Sequence, residues 1–93
     1  MDVDYILACG VVWQETADLF AGSELVEALE CNDPYIQLTA KAILVQGGEP
    51  SMDLLESALA AGIVSPESAS SCMAEILGAQ GQRDFFFGEQ FSN

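Results

Sequence analysis

The chain has 93 residues, about half of them apolar, and carries 15 acidic residues against two basic ones, which gives a net charge of −13. This length suffices for one domain with a modest core and is too short for two. The negative charge repels phosphate, so the composition argues against direct binding to nucleic acid or to an anionic membrane surface. It favours a protein partner with a basic surface, while solubility alone is a second explanation that the composition leaves open.

The first predicted element is an apolar helix that contains the run YILACGVVW, residues 5–13. The run is too short to span a bilayer. It follows Asp2 and Asp4, where a signal peptide needs positive charge. We therefore expect a helix buried on nearly all sides, with a break near residues 14–16.

The three cysteines, Cys9, Cys31 and Cys72, are widely spaced and form no C-x-x-C pair. An odd number of such cysteines is typical of buried thiols in a reducing compartment rather than of a disulfide framework. Together with the acidic start of the chain, this predicts a cytoplasmic protein with no membrane segment.

Four further helices are predicted in chain order, because apolar residues recur at three- and four-residue spacing and no segment alternates like a strand. The first is SELVEALEC, residues 23–31. In the second, Asp33 caps a helix that begins at Pro34 and ends at Gly47. The third lies within residues 50–62, and the fourth begins at Pro66. The residues expected to be nearly inaccessible are Leu29, Ile36, Ala40, Ile43, Leu55, Leu59 and Ile76.

The stretch DPYIQLTAKAILVQGG, residues 33–48, resembles the second helix of a HEAT repeat together with the turn before it. That family commonly has Asp-Pro, a branched apolar residue and an alanine-rich stripe that ends at glycine. The matching positions are Asp33, Pro34, Ile36, Ala40, Ala42, Ile43 and Gly47. The resemblance implies helical hairpins that stack side by side and bind other proteins.

The resemblance has one clear departure and limited extent. Gln37 stands where the family most often has an arginine that bridges to a neighbouring repeat, so one device for stacking is lost. A second unit, residues 49–78, matches only in outline through Ser65 and Pro66. Two units fall short of the three or so that a free-standing solenoid needs. The fold class is therefore all-α, either a compact bundle or a short HEAT-like solenoid of antiparallel hairpins that stacks on another chain, with the domain at residues 1–78.

An acidic ridge is predicted on the helix that precedes the Asp-Pro turn. Glu24, Glu27 and Glu30 step by three residues and lie beside Asp33, so the four carboxylates share one side. Like charges at this spacing destabilise a helix slightly. The ridge is either a solvated face or a surface that meets a basic partner, and the sequence leaves both interpretations open.

The last segment, residues 79–93, is rich in glycine and phenylalanine and keeps no helical or strand period. We call it the aromatic tail. Its phenylalanines are Phe85, Phe86, Phe87 and Phe91. Either they fold back into the groove between hairpins, or they anchor another protein. Internal packing is favoured, because adjacent exposed phenylalanines promote aggregation.

The sequence offers little for catalysis. It has no histidine, no G-x-x-x-x-G-K-[ST] loop, no G-x-S-x-G elbow and no cysteine and histidine spacing that suits a metal. We therefore expect no enzyme, no cofactor and no metal site. The favoured function is a protein-interaction or accessory module. The alternative is an acidic inhibitor that mimics nucleic acid and occupies the basic groove of a DNA- or RNA-binding protein.

Overall fold

The structure is a computed structural model that describes the backbone of residues 2–92 and the side chains of residues 2–79. This part of the chain is all helical and contains no strand, which confirms the predicted fold class. The helices are α1 (Val3–Thr16), α2 (Leu19–Ala28), α3 (Pro34–Gly47), α4 (Glu49–Ala61) and α5 (Pro66–Ser92).

The predicted helix ends are confirmed where the sequence carries a capping residue. The Asp33 carboxylate accepts a hydrogen bond from the Tyr35 N–H at 2.9 Å, and Pro34 is the first residue of α3. The Ser65 hydroxyl accepts from the Ser68 N–H at 3.2 Å at the start of α5. Gly62 ends α4 with a φ of 75°, a left-handed conformation that glycine adopts without steric cost.

The five helices form two layers that the chain visits alternately. α1, α3 and α5 lie in one layer with α3 in the middle, and α2 and α4 lie in the other. Helices α1 and α3 run in the same direction, because Gly10 faces Ile43 and the Gln14 side chain bonds that of Gln46 one turn later. Consecutive helices cross from one layer to the other and form antiparallel hairpins.

Trp13 joins the layers by packing against two glycines. A β-carbon placed on Gly22 of α2 would lie 3.0 Å from the indole ring, and one placed on Gly47 of α3 would lie 3.3 Å from its nitrogen. The indole is 5% exposed. Since neither glycine has a side chain, α2 and α3 both approach the ring with their backbones.

Five of the seven residues predicted to be inaccessible are buried: Leu29, Ile36, Ala40, Leu55 and Ile76. Ile43 is only partly buried, although its side chain packs on Gly10. Leu59 is 37% exposed, so its assignment to the core was wrong. Helix α4 instead turns Ser51 and Ala58 inward together with Leu55, and its Leu54 side chain lies against Gly22 of α2.

The prediction that α1 is buried on nearly all sides was also wrong. The row that faces α2 and α3 is buried and consists of Ile6, Cys9, Gly10 and Trp13. On the opposite side Leu7 is 47% and Val11 is 55% exposed, because α1 has neighbours on one side only. Within the described residues, no helix combines the length and apolarity needed to cross a bilayer.

The backbone of α5 continues to Ser92 and passes the position where the sequence predicts the domain to end, after Gly78. The buried row of α5 consists of Ala69, Cys72 and Ile76, which all precede that boundary. The division into residues 1–78 and an aromatic tail at residues 79–93 stays a prediction.

The packing around Trp13 predicts a position-dependent effect of one substitution. Gly22→Val adds bulk against a buried ring, so we expect it to lower the free energy of unfolding by about 1–3 kcal/mol. The matched change Gly78→Val adds the same atoms where nothing lies within 4 Å, and should shift stability by less than about 0.5 kcal/mol. Urea denaturation of both variants measures the difference, and equal losses would contradict this account of the Trp13 contact.

Candidate protein-binding surface

The acidic ridge begins at a contact between the first two helices. The Tyr5 hydroxyl of α1 donates a hydrogen bond to the Glu24 carboxylate of α2 at 2.5 Å. This bond lowers the pKa of Glu24 below its usual value and raises the pKa of Tyr5. Glu24 therefore helps to fix α1 on α2 and is already engaged within the chain.

Glu30, in the turn after α2, reaches the start of α5. Its carboxylate accepts a hydrogen bond from the Ser65 N–H at 2.7 Å, and this bond lowers the pKa of Glu30. In a capping box, the carboxylate that bonds the N-cap N–H comes from the third residue of the same helix. Here it comes from a residue 35 positions earlier in the chain, so Glu30 links the two hairpins and caps α5.

Asp33 and Glu27 complete the acidic ridge in different ways. Asp33 caps α3, so its carboxylate is also used within the chain. Glu27 is exposed, and its pKa is raised by its hydrogen bond with Glu24. The repulsion expected among these carboxylates is thus seen in the raised pKa of Glu27. Hydrogen bonds instead lower the pKa values of Glu24 and Glu30.

Beside the acidic ridge, an uncharged groove runs between α2 and α4. We call it the α2/α4 groove. It is lined by Leu19, Ser23, Val26, Leu54, Ser57, Ala58, Ala61 and Ile63. At its mouth Leu19 is 73% exposed, and the adjacent Phe20 is 70% exposed. Large apolar side chains are thus held in solvent next to an apolar cleft, an arrangement that marks interaction sites more often than isolated surface residues do.

One carboxylate stands beside the α2/α4 groove. Glu27 follows Ser23 of the lining by one helical turn, so it lies on the side of α2 that borders the groove, whereas Asp53 of α4 lies with Met52 and Leu77 at a separate depression between α4 and α5. Among the side chains of residues 2–79, the one cationic group is Lys41. It lies on α3 and is paired with Glu75 and Ser71 of α5.

A second groove opens between α1 and α3, and we call it the α1/α3 groove. Its lining consists of Leu7, Tyr35, Leu38, Thr39, Ala42, Ile43 and Gln46. Tyr35 and Leu38 are both 66% exposed. The sequence did not reveal either groove, because each depends on which helices become neighbours. The one available signal was an excess of apolar residues on α1 beyond those that one face can bury.

The four phenylalanines of the aromatic tail, Phe85, Phe86, Phe87 and Phe91, lie outside the described side chains, so neither interpretation of the tail is tested.

The described side chains also show how the remaining reactive groups are placed. The three cysteines are free thiols, and burial raises the pKa of Cys72 to about 11, which disfavours its reactive thiolate. Across residues 2–79, no three acidic or cysteine side chains converge as metal ligands would. The Ser51 hydroxyl is buried without a hydrogen-bond partner in this part of the chain, and it lies beside Gly47.

No family model, curated protein or solved structure matches this chain at a significant level.

The contact between Glu30 and Ser65 predicts a pH-dependent effect. Because folding holds the pKa of Glu30 below its unfolded value, the contribution of this carboxylate is present above a pH of about 4.3 and is lost as the pH falls through the lowered pKa. Glu30→Gln should lower the free energy of unfolding at pH 7 by up to about 1 kcal/mol, since the site is open to solvent. The deficit should disappear in acid.

Glu27→Gln is the matched control for this prediction. The raised pKa of Glu27 means that its charged form is disfavoured in the folded state, so neutralising it should leave stability at pH 7 unchanged or slightly higher. Denaturation curves of both variants between pH 3 and 7 provide the comparison. If Glu30→Gln matches the parent at every pH, the carboxylate does not stabilise the start of α5.

Proposed function

We propose that this chain is a non-catalytic protein-interaction or accessory module of the HEAT-like type. The observation that carries the proposal is the pair of open grooves, one in each helical layer. Their linings include the exposed apolar side chains of Leu19 on α2 and of Tyr35 and Leu38 on α3. A partner that covers these residues removes their apolar surface from water, and this burial stabilises the complex.

The hairpin between α2 and α3 supports the HEAT-like part of the proposal. Asp33 caps the second helix, and the Gln37 side chain donates a hydrogen bond to the Cys31 carbonyl across the turn. Gln37 occupies the place where the family commonly has an arginine, and here it holds the turn of its own hairpin. Helices α1 and α5 follow the same alternation between the two layers, as the helices of neighbouring HEAT-like hairpins would.

The groove linings support a binding role without chemistry. They offer aliphatic, hydroxyl and amide groups, and neither contains a carboxylate, a thiol or a cation that could act as an acid, a base or a nucleophile. A cytoplasmic location is part of the proposal. It is supported by free thiols at Cys9 and Cys72 that are buried in the core, where a reducing compartment leaves them unchanged.

The alternative, an acidic mimic of nucleic acid, draws its support from the net charge of −13. A mimic presents its carboxylates to the partner, as a row of phosphates does. In this chain Glu24, Glu30 and Asp33 accept hydrogen bonds from Tyr5, Ser65 and Tyr35, so three of the four ridge carboxylates already serve the fold. The apolar grooves therefore favour the interaction module.

Site-specific photo-crosslinking in the cell that produces the protein tests the proposal. A photoreactive phenylalanine analogue replaces Leu19, Tyr35 or Leu38 in turn, and replaces the exposed Glu56, which lines neither groove, as the control. We expect a discrete protein adduct from at least one apolar position and none from Glu56. Adducts to nucleic acid, or no difference between the apolar positions and Glu56, would contradict the proposed function.

A further inference from the structure

We propose that the α2/α4 groove binds a two-turn amphipathic helix of a partner protein, with apolar residues that enter the groove and lysine or arginine residues on the flank beside α2. This inference rests on the proposed function and names the surface and the partner chemistry. It follows from the length of the groove and from the negative charge beside it.

The length of the groove fits two helical turns. On α2 the lining runs from Leu19 to Val26, and on α4 it runs from Leu54 to Ala61. Each wall covers seven residue steps, which is about 10 Å along a helix. Apolar residues at positions i, i+4 and i+7 of a bound helix span the same distance, and such a row is the usual anchor of a helix in an apolar groove.

The walls of the α2/α4 groove suit side chains of limited size. Ser23, Ser57, Ala58 and Ala61 are small, so the two helices leave room between them, and Val26 closes the floor. A helix packs into such a cleft by placing a ridge of side chains between two rows of the host helices. Leu19 and Ile63 then cover opposite parts of the bound segment.

The negative charge beside the groove favours a bound segment with positive charge. Glu27 borders the groove on α2, while the lining itself has no charge. The pKa of Glu27 is raised by its acidic neighbour Glu24, so a cation placed beside it relieves an existing repulsion. Lys41, the one described cation, lies in the other layer and is paired with Glu75, so it does not repel such a partner here.

Other occupants fit less well. A peptide that binds by adding a strand needs an exposed sheet edge, and residues 2–92 form no strand. A second copy of this chain brings another net charge of −13 to the same acidic border.

The test measures binding of designed helical peptides to the full chain by calorimetry. The first peptide, of about 15 residues, carries leucine at i, i+4 and i+7 and lysine on one flank of this row; the second is identical but carries glutamate in place of lysine. We expect the lysine peptide to bind at least roughly tenfold more tightly, and its affinity to fall as salt rises from about 0.05 to 0.3 M. Equal affinities would overturn the charge argument.

Three matched substitutions locate the site. Ala61→Arg places a large cation in the α2/α4 groove, Ala42→Arg does so in the α1/α3 groove, and Ala60→Arg adds the same charge to α4 outside both linings. All three alanines are exposed, so the variants should melt like the parent, which circular dichroism checks. We expect Ala61→Arg to weaken the lysine peptide at least tenfold and the other two to weaken it less than threefold or so.

Two results would overturn the proposal in different ways. If Ala42→Arg abolishes binding and Ala61→Arg does not, the peptide occupies the other groove. If sedimentation shows that the parent is a dimer and that Ala61→Arg is a monomer, a second copy covers the α2/α4 groove. In either case protein adducts from the photo-crosslinking experiment would still support the proposed function, so the two failures can be told apart.

Discussion

The packing of Trp13 determines how closely α1, α2 and α3 approach one another. One indole from α1 rests on the backbones of α2 and α3, at Gly22 and Gly47, and so fixes how closely those helices approach. Leu54 of α4 also packs at Gly22, which sets the position of α4 relative to α2. On the outer side of the same two helices the facing residues Ser23, Ser57 and Ala61 are small, so the α2/α4 groove stays open there.

The acidic ridge and the α2/α4 groove are neighbours because both include residues of α2. Glu24 is held by Tyr5 of α1 and Glu30 by the N–H of Ser65, so the ridge is fixed at both ends to other parts of the fold. Glu27 lies between them. Within residues 2–79 its one hydrogen-bond partner is its ridge neighbour Glu24, and this contact raises the pKa of Glu27. The ridge therefore serves stability at its ends and presents negative charge to the groove at its middle.

Local features of the chain were predictable from sequence, and long-range ones were not. Asp33 with Pro34 and Ser65 with Pro66 mark helix starts through contacts of two or three residues, so those boundaries are confirmed. The choice between Leu59 and Ala58 on α4 depends on a neighbouring helix, and helical spacing alone allows both. Likewise, the hydrogen bonds of the acidic ridge join residues 19 and 35 positions apart, which no local pattern reveals.

If the α2/α4 groove is the binding surface proposed above, a partner helix must perturb that groove and leave the α1/α3 groove unchanged. An amide nitrogen–proton correlation spectrum of the labelled chain, recorded while the lysine-bearing helical peptide is added, tests this. The largest shifts should fall on residues 19–27 of α2 and 54–63 of α4, with little change at Leu7 and Leu38. Shifts that concentrate on α1 and α3, or on residues 80–93, would contradict it.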